Sequence, residues 1–334
     1  MAGIADVAAL AGVSKATASR ALSGHEHVAP ATRERVLAAA ESLGYAPSTT
    51  AVSLATGRTN SIGVIMPSVT RWFFAEVLEG IQHRLIQEEL DLTLYDAKPG
   101  TADRARVFDD FLARKRFDGL IAVGIEPEDH ELDRLLGLER PVVNVVGDPG
   151  PTSVITLDDD YAVRRATEHL IGLGHRDIAF LGADPGGLWP QVERRRFAGY
   201  TAAMRDAGLA DHVRHIAAGY SLPSSYQAAA DALGDVRARP TAIVAVNDEV
   251  AVGAIIAARR LGIGVPNDLS VVGIDDHELA EMFSLTTLKQ LPREQGAEAV
   301  QLLLAHMADP ELPPQTIRKR ARLIVRSSTA AFTG

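Results

Sequence analysis

From Ser61 onward, short continuous apolar runs alternate with stretches of helical period. That alternation limits the fold more than any other feature of the chain. The runs are SIGVIMP, DLTLYD, FDGLIAVG, PVVNVVG, VITLD, DIAFLGA, TAIVAVND and LSVVGIDD. A strand that is apolar on every residue must be covered on both faces, as in parallel sheets with helical crossovers. Helices are expected between the runs, over 74–88, 162–173, 193–207, 249–261 and 293–308. The expected fold is α/β: about eight strands in two parallel sheets, one per lobe, because a 334-residue chain exceeds one core.

The first 46 residues have a different texture. Ile4, Val7, Ala8 and Ala11 recur at helical spacing, and Gly12 ends the pattern. Ser14 is a candidate N-cap for a second helix, whose Ala18, Ala21 and Leu22 share a face. A third helix is expected from Pro30 to Leu43, with Val36, Leu37, Ala40 and Leu43 as its stripe. The tight Gly-containing turn makes the first two a helix-turn-helix. The face carrying Lys15, Ala16, Ser19 and Arg20 is left over. The pattern alone leaves two readings of it: contact with DNA, or a solvated surface. The polar segment from Pro47 to Gly57 is too short to hold a helix alone and reads as a hinge.

Charge separates the two parts. The chain carries −9 overall, yet residues 1–60 hold five basic and four acidic side chains and the remainder carries −10. A body of that sign is repelled by phosphates, so DNA contact is expected through the head alone. Cysteine is absent, which excludes disulfides, thiol catalysis and cysteine-ligated zinc. No run of about 18 apolar residues suggests a membrane span, and no leader pattern opens the chain, so a cytoplasmic location is expected.

No phosphate-binding glycine loop, nucleophile elbow or zinc motif occurs, so neither catalysis nor a cofactor or metal is expected. His169 and His175 read as capping and surface residues, and Asp158–Asp159–Asp160 as a helix cap. In open α/β sheets, ligands sit beyond the carboxyl ends of the strands. Those ends carry Arg71–Trp72–Phe73–Phe74, Trp189, Arg194–Arg195–Arg196, Asn247–Asp248 and Asp275–Asp276. Aromatic rings beside Arg, Asn and Asp suit a polyhydroxylated ligand. Singly, each is ambiguous: Phe74 could be core and Asp248 a helix cap.

These segments, taken in order with DVAALAGVSKATASRALSG, TRERVLAAAESLGYAPS, HLIGLGHRDIAFLGA, RRRFAGY, VNDEVAVGAI, LTTLKQ and RLIVRSST, resemble the lactose-repressor (LacI/GalR) family of bacterial transcription regulators. The resemblance covers nearly the whole chain. It implies a helix-turn-helix head (1–46), a hinge helix and linker (47–60), and a two-lobed, periplasmic-binding-protein-like core (61–334). Lobe 1 would comprise about 61–160 and 291–320, and lobe 2 about 161–290 and 321–334. It implies that Lys15, Ala16 and Arg20 read bases, that Thr17 and Ser19 lie near phosphates, and that Ala51 and Leu54 belong to a hinge helix entering the minor groove, with Ser14 and Ser48 also among the DNA-binding residues. Phe73, Phe74, Arg196, Asn247 and Asp275 match effector positions, with Trp189 and Tyr220 nearby. The implied partners are double-stranded operator DNA, a small-molecule effector and a second copy of the chain; no leucine-heptad tail suggests a tetramer.

The chain departs from the family pattern at Gly3, Ala18 and Ala29, where Thr, Val and Ser are usual. The segment between Asp276 and Leu285 is also shorter and lacks a Pro. The expected function is a repressor released from a palindromic operator by a sugar-like effector. Alternatives are a co-repressor-dependent regulator with a non-sugar effector, and a cytoplasmic sugar-binding protein.

Overall fold

The computed structural model describes residues 2–22, 27–45, 57–182 and 190–333. The head contains α1 (Ile4–Ala11), α2 (Lys15–Leu22) and α3 (Pro30–Ser42). Gly12 closes α1 in the left-handed conformation at φ 66°, where a side chain would be strained. Gly3 supplies no capping side chain, but its N–H donates to Asp6 Oδ2 at 2.7 Å, half of a capping box. Ser14 Oγ accepts from Thr17 N at 3.1 Å. The head core is small: Val7, Ala8, Ala11, Ala18, Ala21, Val36, Ala39 and Ala40. Leu37 is 49% exposed, so the expected stripe on α3 shifts. Ala39 occupies the core, because position 37 lies about 100° around the helix from Val36.

The core contains two six-stranded sheets. The first is built from β1 (Ser61–Met66), β2 (Asp91–Asp96), β3 (Gly119–Val123), β4 (Val142–Val145), β5 (Ser153–Leu157) and β11 (Thr316–Lys319), in the order β11-β5-β4-β3-β1-β2. The second is built from β6 (Ile178–Leu181), β7 (Arg214–Ile216), β8 (Ala242–Ala245), β9 (Ser270–Asp275), β10 (Thr286–Lys289) and β12 (Arg322–Ile324), in the order β12-β10-β9-β8-β6-β7. The strands therefore number twelve among the described residues, four more than the apolar runs suggest.

Every described pairing is parallel except β10 with β12. The chain leaves lobe 2 at the end of β10 and re-enters it at β12, both beside the cleft. β12 must therefore run away from the cleft, opposite to β10.

The helices that flank the sheets are α4 (Trp72–Gln87), α5 (Ala102–Arg106), α6 (Asp129–Leu136), α7 (Asp159–Gly172), α8 (Pro190–Asp206), α9 (Leu222–Gly234), α10 (Asp248–Arg260), α11 (Glu278–Met282) and α12 (Pro292–Ala308). α4 and α12 cross closely at Gly80 and Gly296, where a Cβ on either would strike the other helix's backbone. The chain passes between the two sheets three times, at 157–159, 289–292 and 319–322.

Candidate functional site

The crossovers put the carboxyl ends of β1, β3, β4, β6, β8 and β9 around one cleft. Its cavity is lined by Phe73, Phe74, Arg196, Tyr220, Asn247 and Asp275, all six drawn from the sequence-based shortlist. The same walls carry Arg71, Trp72, Asp159, Glu249 and Gln290, with Gly124, Val146, Leu157 and Val192. Gly124 is at φ 58°, and a Cβ there would strike the ring of Phe74. Trp189 lies outside the described residues.

Arg196 is the polar centre. Its Nε donates to Asp159 Oδ1 at 2.8 Å and its Nη1 to the Val246 carbonyl at 2.5 Å. Burial opposes the charge on Arg196, but Asp159 and Asp275 more than reverse that effect and hold the guanidinium firmly protonated. Burial pushes Asp275 up to about 7, with Arg196 opposing and Glu249 and Asp159 reinforcing. Burial pushes the Tyr220 phenol well up, so it remains a neutral hydroxyl. Asp275 has φ 128° and Asp276 has φ 58°, conformations that non-glycine residues rarely take and that gather at ligand sites.

Asn247 caps α10, accepting from Val250 N at 2.9 Å, so one of its polar atoms is already committed. Asp248 is not the cap. It is fully buried and accepts from Thr287 Oγ1 at 2.7 Å and His277 N at 2.9 Å. Burial, reinforced by Asp275, pushes Asp248 up to about 8.

The lobes touch across the mouth of the cleft. Arg71 Nη1 donates to the Tyr220 carbonyl at 2.8 Å, and Arg195 pairs with Asp148 at 2.6 Å. Glu126, from the loop after β3, accepts from Gln191 N at the start of α8 at 3.1 Å. The enclosed space is about 90 Å³, well below the roughly 300–1,000 Å³ of ligand pockets.

Two residues depart from the sequence reading. Of the acidic triplet, Asp158 does cap α7, accepting from Tyr161 N, but Asp159 turns into the cleft to pair with Arg196. His175 is not a surface residue: it is 3% exposed and bonds Thr241, Ser270 and the Ala330 carbonyl. It ties the end of α7 to the last residues of the chain. Asp159 and Gln290 were missed as site residues, and Arg196 was the available signal, since a buried guanidinium demands a carboxylate.

In the head, Ser14, Lys15, Ala16, Ser19 and Arg20 are exposed on one side of α2, while Ala18 and Ala21 are buried and Thr17 is half-buried. Ser48, Ala51 and Leu54 lie outside the described residues. Among the described residues, no helix is long and apolar enough to cross a membrane.

A helix-turn-helix head followed by two sheet-based lobes around a cleft is the architecture of a DNA-binding transcriptional regulator. Residues 3–48 match the bacterial regulatory proteins of the lacI family, and residues 167–329 match the periplasmic binding protein-like domain. The chain is 34% identical to the HTH-type transcriptional repressor PurR of Vibrio campbellii over 98% of each chain. It is 35% identical to that of Proteus mirabilis over 99% of this chain and 97% of the other. Among solved structures, it resembles the Lac repressor dimer bound to operator and the anti-inducer ONPF, with a TM-score of 0.86, 28% identity and 99% of each chain covered. It also resembles a CelR–cellobiose complex, with a TM-score of 0.71, 27% identity, and 98% of this chain and 100% of the other covered. The protein belongs to the lacI family and is a DNA-binding transcriptional repressor, not an enzyme.

Proposed function

We propose that a homodimer binds a palindromic operator in the cytoplasm and is released when a sugar-like effector occupies the cleft. In this reading Lys15, Ala16 and Arg20 read bases, and Ser14, Thr17 and Ser19 sit against phosphates. Ser48, Ala51 and Leu54 belong to a hinge that orders only when two copies meet on DNA, with Leu54 entering the minor groove. The division into head, hinge and two lobes follows the boundaries given above.

The observation that carries the effector reading is that Arg196 and Asp275 line one cavity together with the rings of Phe73, Phe74 and Tyr220. An arginine and a carboxyl serve vicinal hydroxyls, and ring faces cover the C–H surface of a sugar. Relatives of known structure carry ribose or cellobiose. An effector shifts the lobes only by binding one arrangement better than the other. Because lobe 1 feeds the linker, altering the lobe angle changes the separation of the two hinges.

The test is operator binding by the full chain to the DNA upstream of its own gene, with and without a panel of mono- and disaccharides. Release by one sugar, lost in Asp275→Ala, supports the proposal. Tighter operator binding with ligand would replace induction by co-repression.

A further inference from the structure

Asp275 lines the cleft, yet one hydrogen bond orients its side chain. Gln290 Nε2 donates to Asp275 Oδ1 at 2.6 Å, and the carboxyl makes no other hydrogen bond among the described residues. The Gln290 N–H also donates to the Asp275 carbonyl, at 3.3 Å. Gln290 is itself a lining residue of the cleft.

The direction of the Gln290 amide is set from its other end. A side-chain amide presents donors on one side and an acceptor on the other. Gln290 Oε1 accepts from Gln295 Nε2 at 3.1 Å, which turns the Gln290 donors toward Asp275. Gln295 is 1% exposed, and its own Oε1 has no hydrogen-bond partner among the described residues. The side chain of Gln295 therefore bonds in one direction only, toward Gln290.

The anchor of this chain is rigid. Gln295 stands near the start of α12. The next residue, Gly296, lies so close to α4 that a Cβ there would come within 2.2 Å of the Val77 carbonyl oxygen. The same helix α4 opens with Trp72, Phe73 and Phe74, which line the cleft. Three side chains thus run from α12 in lobe 1, through the second crossover, to the end of β9 in lobe 2.

We propose that Gln295 is a positioning residue for the effector: it fixes the amide of Gln290, which in turn holds Asp275 Oδ1 and leaves Oδ2 for a ligand hydroxyl. The proposal rests on the reading of Asp275 as an effector group. It ties the carboxyl on the lobe 2 wall to the helix pair that carries the rings of the lobe 1 wall.

The relay has a signature that simple filling of the core lacks. Two amides in line aim their donors at the carboxylate. Hydrogen bonds to an ionised acceptor are stronger than those to a neutral one, and bonds in a chain polarise one another. The relay therefore favours the ionised form of Asp275 and opposes the burial that raises it. Loss of either amide should raise it further. The other groups that act on Asp275 are Arg196 from α8, Asp159 from the start of α7, Asp248 and Glu249 from the start of α10, and Tyr220. Arg71, just before α4, shares the cavity. The substitutions below leave all of these in place.

The test is urea denaturation of the full chain across pH 5 to 9. The parent protein, Gln295→Met and Gln290→Met are each compared with the same protein carrying Asp275→Asn. The difference within each pair isolates the titration of Asp275. Its midpoint should rise by about half a pH unit or more in Gln295→Met, the size expected for one lost hydrogen bond, and further in Gln290→Met. A residue that only fills the core would lower stability equally at every pH and leave the midpoint in place. That result in Gln295→Met overturns the proposal. Gln295→Glu is the second variant: it puts an acceptor where the donor stood, turns the Gln290 amide round and should also raise the midpoint. An unmoved midpoint there overturns the proposal equally. None of these measurements needs a sugar. Failure of the parent protein to bind any sugar would therefore overturn the effector reading, whereas an unmoved midpoint would overturn the relay.

Discussion

Arg196 and Asp159 form a buried ion pair at 2.8 Å, one residue from each side of the junction between α7 and α8, and both are under 10% exposed. The pair fixes the guanidinium so that it faces the cleft rather than the protein interior. Removing one partner should therefore cost more than the pair contributes. Asp159→Ala leaves Arg196 charged and buried, and about 3–5 kcal/mol of stability should be lost. Asp159→Leu with Arg196→Met should recover most of it in urea denaturation, while sugar binding stays abolished. Full stability in Asp159→Ala would show that the pair carries no such strain.

The two raised carboxyls set a pH dependence. A carboxyl has an unfolded value near 3.9, whereas Asp248 sits at about 8 and Asp275 at about 7 in the fold. The native state therefore holds more protons than the unfolded chain between those limits. Their contribution is fully present below about pH 4 and is lost as pH rises through about 7–8. Asp248→Asn removes one of the titrating groups. The variant should gain on the parent protein as pH rises from 5 to 8, by at most about 1.4 kcal/mol per pH unit. Parallel stability–pH curves for the two proteins would refute this assignment.

Most of the strands that were legible in the sequence are continuous apolar runs, as in β1, all six of whose residues are buried; β2 was legible from its alternating Leu92, Leu94 and flanking residues although none of it is fully buried. Those that were not are β7, β10, β11 and β12. Thr316–Lys319 ends on two adjacent charges, Arg318 and Lys319, Arg322–Ile324 begins on one, and the two are only four and three residues long. Their pairing is decided by the crossovers, which no local pattern records. The site divides in the same way. Asp275 and Asn247 stand at the ends of readable strands. Asp159 is recruited by Arg196 from 37 residues away, and Gln290 follows a strand that the apolar pattern did not reveal.

The exposed side of α2 predicts how the head reads DNA. Lys15, Ala16, Ser19 and Arg20 stand clear of the core, with Arg20 Nε also donating to the Ala16 carbonyl at 3.2 Å. On a guanine edge, Arg20 would exchange that contact for a bidentate one. Arg20→Ala should cost about 1–3 kcal/mol per contacted base pair and relax preference at a single operator position. Titration against operators substituted one base pair at a time, at one fixed salt concentration, checks this. An unchanged preference profile would remove Arg20 from the reading surface.

The final prediction concerns how lobe 1 holds the linker. Asp118, just before β3, is 5% exposed. Its Oδ1 accepts from Thr59 N at 2.8 Å and its Oδ2 from Asn60 N at 2.9 Å. Its own N–H donates to the Ser61 carbonyl at 2.8 Å. One carboxylate thus sets the direction in which the chain leaves lobe 1 toward the head. Asp118→Leu strips both backbone donors of their acceptor, which costs about 1–3 kcal/mol for a buried group. The cost falls on the linker, far from the cleft. Specific operator affinity should therefore drop while non-specific DNA binding and sugar-induced thermal stabilisation stay near those of the parent protein. Specific binding needs the two hinges of a dimer to leave their copies of lobe 1 in register, whereas non-specific binding rests on phosphate contacts from the head alone. A matching loss of both affinities would instead mean that Asp118 supports the fold as a whole.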